Sequence, residues 1–140
     1  MIDKKISIAI RQLKSSIQLY NKNDFVSSIT LAGAAEEILG KIAFKLTQQN
    51  ALLSEKVFLD QVAELLEKPK ADYKIIAKQR NKVKNFLKHY DDNPESSIEK
   101  INYKTSAEDL IIAAINNYFT IFDKFPDDIE IKEFWDNISL

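Results

Sequence analysis

Apolar residues recur every three or four positions along most of the chain, which is the pattern of amphipathic α-helices. The first run predicts a helix over residues 3–20, with an apolar face formed by Ile6, Ile10, Leu13, Ile17 and Tyr20. Asp24 is the expected N-cap of a second helix, which extends to about Gln48. We expect its inward face to contain Phe25, Ile29, Ala35, Ile38, Leu39, Ile42 and Leu46.

The middle of the chain predicts two more helices and a long connection. Ser54 is the expected N-cap of the third helix, and the fourth extends from about Asp72 to Tyr90. The polar segment 91–104 that follows contains no helical periodicity, and a loop of this length is typical of a lid or a disordered segment.

The last third of the chain completes the predicted bundle. Thr105 and Glu108 have the spacing of a capping box, which opens a fifth helix, and a short last helix lies within 127–138. The sequence therefore predicts an all-α protein, an antiparallel up-and-down bundle of five to six helices. We expect one domain over residues 1–140, with its core in residues 3–124.

Composition excludes several kinds of chemistry. The 140 residues include no cysteine, which excludes disulfides, thiol nucleophiles and zinc–thiolate sites. The sequence contains one histidine and no Gly-rich phosphate loop, so we expect neither a metal site nor a cofactor. No apolar run reaches membrane-spanning length, and the start of the chain lacks a signal-like apolar region. We therefore expect a cytoplasmic protein without a membrane partner.

Charge is unevenly distributed although the net charge is only −1. The segment from Lys68 to Lys88 contains eight Lys or Arg residues and a single acid, Asp72. The segment from Asp123 to Asp136 contains six acids and two lysines. Such asymmetry is found in nucleic-acid-binding surfaces. It is equally compatible with a solvated helix face, or with two segments that face each other or a partner.

Both glycines of the chain, Gly33 and Gly40, lie in the middle of the second predicted helix. Each costs about 1 kcal/mol relative to alanine in a helix, and their spacing of seven places them on nearly the same face. We expect this face to allow a neighbouring helix or a second subunit to approach closely. Glu36 and Glu37 lie on the same helix, and a carboxylate that points inward needs a hydrogen-bond donor or a cation.

The fourth predicted helix contains an apolar stripe with one charged member. Its members are Tyr73, Ile76, Arg80, Val83, Leu87 and Tyr90. Arg80 needs a carboxylate partner in such a stripe, and Glu36 or Glu37 can supply it. One flank of the stripe is polar and basic and contains Arg80, Asn81, Lys84 and Lys88, and a second contains Asn85 and His89. The pattern indicates either a structural salt bridge or a cleft that binds phosphate or a nucleotide.

Two more polar residues are candidates for this region. His89, the only histidine, is either a general base or a surface residue at a helix end. Asn117 interrupts the apolar fifth helix, and it either hydrogen-bonds the region of Arg80 and Asn85 or faces solvent.

The segments "SITLAGAAEEILGK" (28–41) and "RNKVKNFLKH" (80–89) resemble the HEPN superfamily of small all-helical domains, over about residues 5–123. The resemblance implies a HEPN-like fold and a homodimer. It also implies one of two activities. Many members cleave RNA with an arginine followed, after four to six residues, by a histidine, and others bind nucleotides or partner proteins without that motif.

This chain departs from the ribonuclease motif, because eight residues separate Arg80 from His89. We therefore expect a non-catalytic module that binds nucleic acid or a nucleotide. In that hypothesis the phosphate contacts come from Arg80, Lys84 and Lys88, the hydrogen bonds come from Asn81 and Asn85, and Glu37 orients Arg80. Asn117 is a further residue of the binding site. One alternative is a protein-interaction or regulatory bundle with a purely structural Arg–Glu–Asn network. Another is a ribonuclease that uses Arg80 with His89 or Asn85.

Overall fold

All regular secondary structure in the described part of the chain is helical. The computed structural model describes residues 1–66, 84, 87 and 102–138, and these residues form five α-helices and no strand. The helices are α1 (Ile2–Asn21), α2 (Phe25–Thr47), α3 (Ala51–Leu65), α4 (Tyr103–Phe122) and α5 (Ile129–Ile138). Lys84 and Leu87 are also helical. The all-α prediction is confirmed, whereas most of the predicted helix 72–90 and of the loop 91–104 lies outside the described residues.

Helices α1 and α2 form an antiparallel hairpin. Near its start, α2 buries Ser28, whose carbonyl oxygen accepts a hydrogen bond of 2.8 Å from the Ser16 hydroxyl of α1. The Tyr20 ring, at the end of α1, packs edge-on against Phe25, with ring centroids 5.3 Å apart. The end of α1 therefore meets the start of α2, as expected from the short link at residues 22–24.

Helices α2 and α4 run in the same direction. Tyr20, beside the start of α2, donates a hydrogen bond to Glu108 near the start of α4. At the other end, the Asn117 amide of α4 donates to the carbonyl oxygen of Glu36 in α2. A strictly antiparallel, up-and-down order is therefore wrong for this pair, because α2 and α4 begin at the same end of the bundle.

The core lies between α1, α2 and α4, and α5 covers one side of it. Its fully buried large apolar side chains are Leu13, Ile17, Ile29, Leu39, Ile111, Ile115 and Ile131. Phe134 of α5 is buried with its ring edge-on to Tyr20. The last turn of α2 passes beyond this core, so Leu46 is 54% exposed and its predicted inward orientation is wrong.

The N-caps differ from the predictions at two of three helices. Asp24 caps α2 as predicted, through the backbone N–H of Ser27. At α3 the cap is Asn50 rather than Ser54, because Asn50 Oδ1 accepts the Leu53 N–H at 2.9 Å. The helix consequently begins at Ala51, before Ser54.

The predicted capping box at the start of α4 is also wrong. Asn102 is the N-cap and accepts the Thr105 N–H at 3.0 Å. The Glu108 carboxylate accepts the hydroxyl of Tyr20 instead of acting at the helix start. Asparagine and threonine are both good N-caps, so local sequence alone does not distinguish these two registers.

Candidate functional site

Lys84 lies directly against α2 at Gly33. Its side chain is only 10% exposed, and a Cβ at position 33 would overlap its Cδ and lie 2.8 Å from its Cγ. Only glycine leaves room for this side chain without a shift. The close approach predicted for the glycine face therefore occurs, and the group that approaches at Gly33 is the aliphatic part of a lysine.

The Lys84 ammonium group forms an ion pair with Glu37. Lys84 Nζ lies 3.3 Å from Glu37 Oε2, and Lys41 Nζ lies 3.0 Å from Oε1 of the same carboxylate. The hydrogen bond from Lys41, with the charge and hydrogen bond of Lys84, lowers the pKa of Glu37 despite its partial burial. Glu37 is therefore an ionised acceptor held between two ammonium groups.

Gly40 provides the second close approach, to Asn117. Asn117 is fully buried, and its Nδ2 atom lies 3.1 Å from the point that a Cβ of Gly40 would occupy. Its Oδ1 accepts the Ala51 N–H at 2.8 Å, and its Nδ2 donates to the Glu36 carbonyl at 3.3 Å. Asn117 thus joins α4 to α2 and to the first residue of α3, and the alternative that it faces solvent is wrong.

The two adjacent glutamates have different environments. Glu36 is buried, with Oε1 3.8 Å from the Cβ position of Gly40, whereas the Glu37 side chain is 47% exposed. The expectation that one of the two carboxylates points inward is confirmed, and that residue is Glu36. The predicted partner, Arg80, lies outside the described residues.

The structure brings Lys84 and Glu37 into contact. Asn117 of α4 contacts α2 at Gly40, about one helical turn beyond Glu37. The other predicted site residues, which are Arg80, Asn81, Asn85, Lys88 and His89, lie outside the described residues. Sequence reasoning missed Lys41. Its signal was the spacing from Glu37, since opposite charges four residues apart on a helix are neighbours.

A separate groove of about 720 Å³ lies between α3 and α4. Its lining includes Ala51, Ser54, Glu55, Ile112, Asn116 and Phe119. The predicted site residues that the structure describes, which are Glu37, Lys84 and Asn117, do not line this groove. The groove mixes carboxylates, small polar side chains and one exposed aromatic ring, so its composition does not select one class of ligand.

Within residues 1–66, 84, 87 and 102–138 there is no group of three or more His, Cys, Asp or Glu side chains positioned to hold a metal ion. In the same residues, no helix combines the length and apolarity needed to cross a membrane. Comparisons with protein-family models, curated proteins and solved structures gave no match. The contacts among the described residues are therefore the basis for a functional proposal.

Proposed function

We propose that the chain is a HEPN-like helical-bundle module that binds nucleic acid or a nucleotide without cleaving it, and that it acts as a homodimer. The observation that supports this proposal is the contact of Lys84 with Gly33 and Glu37. Segments 28–41 and 80–89 carry the resemblance to the HEPN superfamily. This contact joins the two segments although they are far apart in the chain.

The charge on this side of α2 favours a phosphate-bearing ligand. Glu37 is neutralised by Lys84, and the second ammonium group on the same carboxylate, that of Lys41, is highly exposed. In the proposal, the segment 68–88 contributes to the same surface, and its sequence contains seven other Lys or Arg residues and one acid. A surface with such an excess of cations attracts polyanions through the release of counterions.

The contacts refine the roles of the predicted residues. Lys84 itself acts as a structural contact with α2, because its ammonium group is bonded to Glu37 and most of its side chain is buried. In the proposal, Arg80 and Lys88 contact phosphate, and Asn81 and Asn85 hydrogen-bond the ligand. Asn117 supports the site from the core through its bonds to the α2 and α3 backbones.

A fluorescence anisotropy titration of labelled single-stranded RNA at several salt concentrations tests the proposal. The logarithm of the affinity should fall linearly with the logarithm of salt, by about 0.7 for each phosphate contact on a single strand. Arg80→Gln and Lys88→Gln should each reduce that slope, whereas Lys4→Gln, on the exposed face of α1, should not. Failure to bind RNA or nucleoside triphosphate at low salt would overturn the proposal.

A second candidate function is a protein-interaction or regulatory bundle in which the same polar residues are structural. The burial of Lys84 and the complete burial of Asn117 favour it, since both side chains satisfy groups inside the bundle. This candidate predicts that Arg80→Ala lowers the thermal stability while the wild-type protein binds no RNA.

The anisotropy samples also test ribonuclease activity. RNA incubated with the protein and separated on a denaturing gel should remain intact if the module is non-catalytic. Cleavage that is lost in a folded Arg80→Ala variant would instead support a ribonuclease that uses Arg80 with His89 or Asn85.

A further inference from the structure

The last turns of α2 present an aromatic ring next to two lysines. Phe44 is 49% exposed, Lys41 precedes it by three residues with a side chain that is 77% exposed, and exposed Lys45 follows it directly. Phe44 contributes little to the core, because Ala43 is the last buried residue of α2.

Phe44 lies on the same side of α2 as the contact with Lys84. It follows Gly33 by eleven residues and Glu37 by seven, and both intervals return to nearly the same helix face. At a rise of 1.5 Å per residue, Phe44 lies ~10 Å along the axis from Glu37. The ring therefore extends the surface proposed to bind nucleic acid, rather than forming a separate site.

The local charge is compatible with a phosphate beside this ring. The C-terminal end of a helix carries the equivalent of about half a negative charge, and the two lysines outweigh it. An ammonium group has three donors, so the bond from Lys41 to Glu37 leaves donors for a phosphate.

We propose that Phe44 is a stacking platform for a base of single-stranded RNA, with Lys41 on an adjacent phosphate. The proposal rests on the proposed function and assigns it a base contact. Aromatic side chains beside cations are the usual means by which proteins bind single strands, because every base has a face that can stack.

Phe119 provides a matched control on α4. It is 48% exposed, nearly the same as Phe44, but within one turn of it the sequence contains no lysine or arginine, and Asp123 lies four residues on. This ring therefore offers a surface of similar exposure without a lysine or arginine within one turn of its own helix. The two phenylalanines therefore separate stacking at the proposed site from a general effect of exposed aromatic rings.

The experiment compares Phe44→Leu and Phe119→Leu in the anisotropy titration with labelled oligouridine. Phe44→Leu should weaken binding about 5- to 150-fold with an unchanged salt slope, because no phosphate contact is lost. Phe119→Leu should bind as the wild type does. Phe44→Trp should retain binding, and Lys41→Gln should lower the salt slope by about 0.7.

The outcomes distinguish this proposal from the proposed function. If the wild-type protein binds no RNA at low salt, the proposed function fails and this proposal fails with it. If the wild type binds but Phe44→Leu and Phe119→Leu have equal affinities, the stacking proposal alone is overturned. Circular dichroism melts of each variant show whether a loss of binding comes from a loss of fold, and Phe44→Trp separates the two if Phe44→Leu is destabilised.

Discussion

The side chain of Lys84 lies against the backbone of Gly33, at the point where any β-carbon would overlap its Cδ atom. Glycine at this position costs α2 about 1 kcal/mol of helix propensity relative to alanine. The absence of a β-carbon lets the Lys84 side chain cross α2 and places its ammonium group on Glu37. The contact explains why one of only two glycines in the chain lies in the middle of a helix.

Gly33→Ala should destabilise the protein although alanine is the better helix former. Inserting a methyl group into a close contact typically costs about 1–3 kcal/mol, and a displaced Lys84 also loses its bond to Glu37. Because the gain in helix propensity offsets part of this cost, we expect Gly33→Ala to lower the free energy of unfolding, measured in urea, by about 1 kcal/mol.

The effect of Gly33→Ala on stability should change sign when Lys84 is replaced by a shorter residue. In a Lys84→Ala background the three atoms nearest to the β-carbon, which all belong to the Lys84 side chain, are removed, so Gly33→Ala should stabilise α2 by up to about 1 kcal/mol. A stabilising Gly33→Ala in the wild-type background would show that Lys84 does not pack there.

Asn117→Ala should lower the free energy of unfolding by about 1–3 kcal/mol. The substitution removes the acceptor of the part-buried Ala51 N–H and the donor to the carbonyl oxygen of buried Glu36, and leaving desolvated polar groups without a partner carries a penalty of this size. The neighbouring residue Asn116 is exposed, so Asn116→Ala is the matched control and should change stability little. Equal effects of the two substitutions in urea denaturation would contradict the structural role of Asn117.

The described helices were largely predictable because their signal is local. Periodicity is sufficient for α1 and α2, where Leu13 and Ile29 face the core as the pattern indicates. The helix starts were less predictable, because Asn50 and Ser54 are equally suitable caps. What selects Asn50 is a tertiary contact, since its Nδ2 also donates to the carbonyl oxygen of Gly40.

The site was predictable in kind but not in its pairings. Two mid-helix glycines and adjacent acids indicated a close neighbour and a buried carboxylate, and both occur at α2. The contact of Lys84 with Glu37 depends on the tertiary packing that brings residue 84 to α2, and the sequence pattern alone does not determine that packing. The bonds from Asn117 to Glu36 and Ala51 likewise depend on the shared direction of α2 and α4.

Asp128 should contribute to stability mainly as the N-cap of α5. Its Oδ1 accepts the backbone N–H groups of Glu130 and Ile131, and its Oδ2 lies 3.2 Å from Lys14 Nζ. Asp128→Ala should cost about 0.5–2 kcal/mol. Asp128→Asn, which retains an acceptor for the cap, should cost less in the same urea titration, because the ion pair with Lys14 is half-exposed and weak.

The contribution of Asp128 should also depend on pH. Burial raises its pKa, but the N–H of Ile131, the hydrogen bond and charge of Lys14, and the N–H of Glu130 outweigh burial and lower the pKa below 3.8. Its stabilising effect is therefore complete above the pKa of the unfolded chain and is lost as pH falls through the lower folded value. The stability difference between wild type and Asp128→Asn should shrink below about pH 4, and a difference that grows on acidification would contradict this assignment.

Tyr20 should remain protonated to unusually high pH. Burial, together with the 2.6 Å hydrogen bond to Glu108 and the charge of that carboxylate, raises the pKa of Tyr20 from 10.0 to about 12. Because the folded pKa is raised, the stabilisation is complete below pH 10 and is lost as the pH rises toward 12. Tyr20→Phe should cost about 1 kcal/mol at neutral pH, and this cost should vanish as the pH approaches the folded pKa.

An ultraviolet titration measures the pKa of this tyrosine directly, because subtracting the curve of Tyr20→Phe from that of the wild type isolates Tyr20. Glu108→Gln should move the transition toward pH 10. A difference curve centred near pH 10 in the wild type would contradict the contact with Glu108.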